Sequence, residues 1–566
     1  MKQHRFSFIP GFLFILSLIY PANQSPVYSK HGMVVSGSRW ASEAGIEILK
    51  KGGNAVDAAA AIGFALAVTY PQAGNIGGGG FMVAYTSKGE SFTLDFREKA
   101  PEAAYREMYL DENGEVIENL SLFSPLAVGV PGSVDGFLKA WRDYGSGKIS
   151  RREILAPAIR LAARGFPITY RFAGFLNDRR EFFERDDGAR SIFVRKDGRP
   201  WKAGDRLVQK DLARTLKRIS RLGRDGFYTG KVAELIEKEI REGNGIMTAR
   251  DLARYESKYR APVTGTFRDL EILSMGPPSS GGALLIQMLN MLEYFRLDTL
   301  GWNSADYIHL LTEVERRAYA DRAEHMGDPD YWDVPLEMLT SKTYAKSRIQ
   351  DISFSRATPS SEVSAGDPTA YESRETTHFS VVDRFGNAVS VTTTLNTSFG
   401  CGIVVEGAGF FLNNEMDDFS AKPGVPNVFG LVGKEANSIQ PGKRPLSSMS
   451  PTIVLKNGAP FMILGSPGGA TIITTVLQCI LNVVVHRMDI QEAVSAPRIH
   501  SQWLPDVIMT EPRSISKDSE RILVSRGHTL APYRWGYIGQ ANGILIGKDG
   551  FYGGADPRGE NAAVGY

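Results

Sequence analysis

Two cysteines in 566 residues, Cys401 and Cys479, are too few and too far apart for a disulfide scaffold. In a chain of this length they read as two buried thiols without a catalytic part. An excess of charge is also missing. The 65 Lys plus Arg against 63 Asp plus Glu leave a formal +2, which offers no electrostatic case for nucleic acid. The eight histidines are scattered, and no H-E-x-x-H or cysteine-rich ligand spacing occurs, so we expect neither a catalytic metal nor a cofactor. Apolar runs of spanning length are absent too. From Met1 to Ser25, Lys2, His4 and Arg5 precede an apolar run from Phe8 to Tyr20. That is a secretory pattern, and the run is too short to cross a bilayer comfortably. Export, to a periplasm or outside the cell, is therefore expected. Because Tyr20 stands two residues before Ala22, an uncleaved membrane anchor is the alternative.

What is present is a chain long enough for two domains or one large layered domain, with 59 glycines that point to many tight turns and close backbone approaches. Ala44, Ile46, Ile48 and Leu49 predict a helix from Ser42 to Lys51. Asn54 then caps an alanine-rich helix that runs to about Thr69. The run Gly77-Gly78-Gly79-Gly80 lacks the Lys-Ser/Thr of a phosphate loop and leads into a strand at Phe81, so it reads as a tight turn. Arg97 closes a strand of small and apolar residues. A salt bridge to Asp95 or Glu98 would explain it, and so would a bidentate grip on a substrate carboxylate. Val128 to about Tyr259 reads as mainly helical scaffold, and His309 as a packed residue on a helix face. Ser353 to Glu375 is polar and aperiodic, the pattern of an exposed mobile linker.

The chemistry concentrates between Thr376 and Ser420. Thr377 to Asp383 and Ala388 to Leu395 alternate in polarity around Arg384-Phe385-Gly386-Asn387, which predicts an antiparallel hairpin. Thr392 and Thr394 then share one face, with Val391, Thr393 and Leu395 on the other. A linker that ends at a threonine opening a buried strand is what an N-terminal nucleophile hydrolase needs. Cleavage of the Glu375-Thr376 bond frees an α-amine of ordinary pKa about 7.7 to 8.0, able to act as general base for the hydroxyl of the same residue.

At this point the chain resembles the γ-glutamyltranspeptidase family. The resemblance lies in T-T-H-F-S-V-V-D at 376–383, T-L-N-T at 394–397, N-N-E-M-D-D-F-S at 413–420, P-L-S-S-M-S-P-T at 445–452 and G-S-P-G-G at 465–469. It extends through G-G-N-A-V-D-A-A at 52–59, D-F-R-E at 95–98 and G-P-P-S-S-G-G at 276–282. It implies a four-layer αββα sandwich of the α+β class. It also implies a signal peptide at 1–25, a large subunit at 26–375 and a small catalytic subunit at 376–566. Thr376 would be the nucleophile in both autocleavage and γ-glutamyl transfer, oriented by Thr394, with the backbone N–H groups of Gly468 and Gly469 as the oxyanion hole. Arg97, Ser447 and Ser448 would hold the donor's α-carboxylate. Asn396, Glu415 and Asp418 would hold its α-ammonium, leaving Asp417 in a solvated turn. Thr377, Thr392 and Thr393 remain strand formers. The implied donor is glutathione or a similar γ-glutamyl compound, with water, amino acids or peptides as acceptors.

Two positions depart from the family pattern: Glu415 stands where many bacterial members have Gln, and Phe429 where a Tyr is common. The second falls in Ala421 to Arg444, which resembles the family's lid loop and favours small donors over polymeric ones. The alternatives are a related acylase for glutaryl-type side chains and an uncleaved binding protein for γ-glutamyl compounds. A serine hydrolase built on Ser466 is disfavoured, because G-S-P-G-G is not a G-x-S-x-G elbow.

Overall fold

The computed structural model describes residues 24–364, 376–422, 424–425 and 433–566. Two antiparallel sheets of seven strands form its middle. The first runs, in spatial order, Ala562–Gly565, Gly32–Ser36, Thr376–Asp383, Ala388–Thr394, Gly79–Tyr85, Ser91–Asp95 and Lys258–Arg260. The second runs Val27–Ser29, Phe551–Ala555, Asn542–Ile546, Ala459–Gly465, Thr452–Lys456, Leu270–Ser274 and Val263–Phe267. The predicted hairpin is the centre of the first sheet, with Thr376 opposite Thr394 and Val382 opposite Ala388.

Alternation along these strands builds the layers. In Gly32–Ser36, Met33 and Val35 point toward the second sheet and pack with Leu273, Ile453, Ile463 and Ile544. Val34 points the other way, into a core shared with the helices Arg39–Lys50 and Ala55–Thr69. Phe81 and Val83 against Met82 and Ala84 repeat the pattern. Beyond the second sheet, Gly281–Leu292, Ala305–His325 and Thr471–Val484 close the fourth layer on Ile272, Val454, Met462 and Leu464. Both strand faces are covered, which is why these strands carry few exposed residues.

The alanine-rich helix begins where expected. Asn54 accepts from the backbone of Val56 and Asp57, and the Asp57 carboxylate accepts from Asn54 N in return, a capping box. Two expectations are corrected. The glycine run is not there for a turn: a Cβ on Gly78 would lie 2.1 Å from the Thr394 carbonyl oxygen, and one on Gly80 2.3 Å from that of Thr392. Glycine lets the two strands approach beside Thr394. Likewise, Ser353 to Ser364 is docked rather than free. Thr358 N donates to Glu313 at 2.9 Å, and the buried Ser360 donates its hydroxyl to Trp503 O at 2.6 Å. The rest of that proposed linker, 365–375, lies outside the described residues, as do 1–23 and Phe429.

Candidate active site

Thr376 is the first residue of its strand, and its position in the alternation turns it toward the gap between the sheets. Its hydroxyl donates to Thr394 Oγ1 at 3.5 Å, a long contact. Thr394 Oγ1 in turn accepts from Asn396 N at 2.8 Å. The same inward face carries His378, whose Nδ1 lies 2.9 Å from Thr392 Oγ1 and whose Nε2 lies 3.1 Å from Ser380 Oγ. Burial pushes the His378 pKa down to about 3, so the ring is neutral and holds the hydroxyls in place. Thr392 therefore does more than favour a strand. So does Thr393, whose hydroxyl donates to Gly79 O at 2.7 Å.

Arg97 follows the strand Ser91–Asp95. Asp95 accepts from Arg97 N at 3.0 Å and spends its carboxylate on Arg260 and Arg444 instead. The Arg97 guanidinium pairs with Glu415 and Asp418, both on the short helical turn Glu415–Asp418, and lies 3.8 Å from Glu98. Expected at opposite poles of a pocket, Arg97 and these acids are instead joined directly. Asp417 departs from its expected solvated turn, being buried and accepting from Ser121 at 2.6 Å.

Three carboxylates around one guanidinium, Glu98 and Glu415 buried and Asp418 partly so, are not all stabilised as anions. Burial is the largest effect on each. It raises Glu98 to about 7 and Glu415 well above the usual carboxylate range, with Arg97 opposing, and it raises Asp418 as well. Both oxygens of Glu98 and one of Glu415 have no hydrogen-bond partner among the described residues. Burial alone would lower Arg97, but the charges of Glu415, Asp418 and Glu98 outweigh it and keep the guanidinium protonated.

Across the cavity, Ser447 and Ser448 sit on an extended stretch pinned to the glycine-rich segment at 276–282. Ser447 N donates to Pro278 O at 2.9 Å, and Ser280 N donates to Ser447 O at 2.8 Å. Asn396 holds a left-handed conformation with φ 76° and donates its amide to Asn414 O at 3.0 Å. Gly468 and Gly469 have φ 136° and 55°, conformations that favour glycine, and neither N–H finds an acceptor among the described residues. One small cavity, with room for little more than a water-sized group, gathers nine of the ten expected residues: Thr376, Thr394, Arg97, Asn396, Glu415, Asp418, Ser447, Ser448 and Gly469. Gly468 is not among the residues that line it. Ser466 is fully buried and donates to Pro467 O at 2.7 Å, so its hydroxyl is structural.

Arg322, on Ala305–His325, also lines the cavity and escaped the sequence reading, as did Ser280 beside it. Nothing in the sequence distinguishes Arg322 from Arg316 or Arg317 on the same helix, since the helix is buried nearly all round. Among the described residues, one grouping offers metal-type ligands: His309, Glu313 and His528, with ligand atoms within 4.8 Å of one another. It lies about 20 Å along that helix from Arg322. Its members already engage other protein groups. His309 Nδ1 is 2.7 Å from His528 Nε2, and Glu313 accepts from Arg316 and Arg317.

Two antiparallel sheets between helical layers, with a strand-initial threonine on the wall of a charged pocket, define an enzyme of the N-terminal nucleophile hydrolase class. A family model described as gamma-glutamyltranspeptidase matches residues 41–566, and the chain belongs to that family. The glutathione hydrolase proenzyme of Escherichia coli (strain K12) is 48% identical over 535 residues, spanning 94% of this chain and 91% of its own length. An acylase ACY 1 proenzyme of Pseudomonas sp. (strain SE83) is more distant, 36% identical over 543 residues, with 95% and 93% covered. Among solved structures, a cephalosporin acylase from Bacillus halodurans superposes with a TM-score of 0.85. It is 27% identical, over 98% of this chain and 99% of that one. Among the described residues, no helix is long and apolar enough to cross a membrane.

Proposed function

We propose that this enzyme is a γ-glutamyltransferase and glutathione hydrolase, made as a precursor and divided between Glu375 and Thr376. Segments 26–375 and 376–566 would remain together as two subunits. Thr376, with its freed α-amine as base and Thr394 orienting its hydroxyl, attacks the γ-glutamyl carbonyl. The oxyanion of the tetrahedral intermediate is met by the N–H groups of Gly468 and Gly469, and loss of one such donor typically costs about 100-fold to 1000-fold in rate. The leaving amine takes the proton, and a γ-glutamyl ester on Thr376 remains. Water or an amino-acid or peptide amine then resolves it. The basic start and apolar run before residue 25 favour export to a periplasm or beyond the cell.

The observation that carries this reading is the internal ion pair. A γ-glutamyl donor brings an ammonium and a carboxylate on one carbon. Its ammonium can replace Arg97 at Glu415 and Asp418, beside Asn396, while its carboxylate takes up Arg97 and the hydroxyls of Ser447 and Ser448. Such an exchange leaves the pocket's charge balance unchanged, so burial of the zwitterion leaves no unpaired ion behind. A glutaryl side chain brings only the carboxylate and would leave the acids without a new partner, which disfavours the acylase reading.

The direct test is to quench the enzyme rapidly during turnover of a γ-glutamyl anilide and digest it for mass spectrometry. We expect one γ-glutamyl group on the peptide that begins at Thr376, and faster deacylation when glycylglycine is added. A modification on any other residue, or turnover with no acyl-enzyme and no response to the acceptor, would contradict the assignment.

A further inference from the structure

Arg322 is the charged group of the pocket that the mechanism above leaves unused. It is 4% exposed and lines the same cavity as Thr376 and Ser448. Its Nε donates to Ser280 Oγ at 2.9 Å and an Nη to Ser448 Oγ at 3.3 Å. Arg97 is met by three carboxylates, whereas no carboxylate among the described residues comes within ion-pair distance of Arg322. A guanidinium held in the interior without an anion carries a desolvation cost that an arriving anion would relieve. Burial, reinforced by the positive charge of Arg97 and opposed by Tyr319 and Asp418, draws its pKa down to about 10. It therefore stays protonated near neutral pH.

The hydroxyls beside it are arranged for the same visitor. Ser448 Oγ accepts from Arg322, and Ser447 Oγ accepts from Met449 N at 3.1 Å. Neither hydroxyl donates to any described residue, so both protons remain available to an acceptor in the cavity. Arg322 also steadies Ser447 indirectly, because Ser280 Oγ, which accepts from Arg322, donates to Ser447 O at 2.8 Å.

We propose that Arg322 is a positioning and specificity-determining residue for the donor's α-carboxylate. It fixes Ser448 with its proton turned to the pocket and supplies positive charge at that pole that no carboxylate among the described residues pairs with directly. This rests on the γ-glutamyl reading of the same site. It predicts that discrimination for the carboxylate, and not for the rest of the donor, depends on Arg322.

Three anilide donors separate the possibilities: γ-glutamyl, glutaryl (no ammonium) and 4-aminobutanoyl (no α-carboxylate). In Arg322→Gln, kcat/KM for the γ-glutamyl and glutaryl anilides should fall by about 10-fold to 100-fold, mostly through KM. The value for the 4-aminobutanoyl anilide should change by no more than about threefold. Arg322→Lys, which keeps the charge and loses the fork, should recover part of the loss and covers the case in which the glutamine variant does not fold. An equal fall for all three donors would make Arg322 a structural residue, and unchanged kinetics for all three would also overturn the proposal. If wild-type enzyme turns over the 4-aminobutanoyl anilide as well as the γ-glutamyl one, it is the γ-glutamyl reading itself that fails.

Discussion

At the scale of the residue, the pocket's defining property is an excess of acid around Arg97. One guanidinium faces the buried Glu98 and Glu415 and the partly buried Asp418, and the surplus is met largely by raised carboxyl pKa values. The sign of the consequence follows from linkage. A carboxyl raised in the folded state binds more protons there than in the unfolded chain, so its contribution to stability is fully present below about pH 4.5 and is lost as pH rises through the folded value. Glu415→Gln removes one such group and keeps its shape. Denaturant unfolding should show the variant more stable than wild type at pH 8, with the difference shrinking toward pH 5. A variant less stable than wild type at pH 8 would mean that the Glu415 anion is a net stabiliser of Arg97. Arg97, Glu415, Asp418 and the serine pair were all legible in the motifs. Their direct contact was not, because a motif names residue types and leaves open which charges meet. Arg322 was illegible for a different reason: its charge resembles that of its helical neighbours until the cavity shows where it ends.

At the scale of the element, the central hairpin and the glycine-led strand beside it form one unit. Alternating polarity predicted the correct pairing of Thr376 to Asp383 with Ala388 to Thr394, and the correct sides for Thr392 and Thr393. What alternation could not reveal was why four glycines lead into and open the next strand, because close approach is a property of two strands together. Gly78 tests this. Its Cβ would sit 2.1 Å from the Thr394 carbonyl oxygen, a backbone atom held in a ladder that cannot swing aside. Gly78→Ala should destabilise the fold by about 1 to 3 kcal/mol and displace Thr394 enough to slow formation of the Thr376 ester. Gly174→Ala is the control, since nothing lies within 4 Å of a Cβ there and its helix should tolerate or favour the change. Equal stability and equal acylation in the two variants would show that the strand contact is not tight.

At the scale of the whole molecule, the order of strands explains how a divided chain can stay one enzyme. Thr376–Asp383 lies between Gly32–Ser36 and Ala388–Thr394, and Gly79–Tyr85 follows on the other side of the hairpin. The second sheet likewise mixes Leu270–Ser274 with Thr452–Lys456 and Ala459–Gly465. Segments before and after residue 376 are thus interleaved in both sheets, and neither can leave without unfolding the other. The four-layer arrangement was reached from resemblance rather than from periodicity, which marks strands and helices but not how two sheets stack. Everything at this scale depends on cleavage of the bond before Thr376. It is tested by a denaturing gel of purified wild type beside Thr376→Ala, with N-terminal sequencing of the smaller band and native sizing of the same samples. Wild type should give two bands, the smaller beginning Thr-Thr-His-Phe, that co-elute as one native particle, and Thr376→Ala a single uncut band. A wild-type enzyme that turns over γ-glutamyl donors as one intact chain, or a Thr376→Ala chain cut at the same bond, would contradict it.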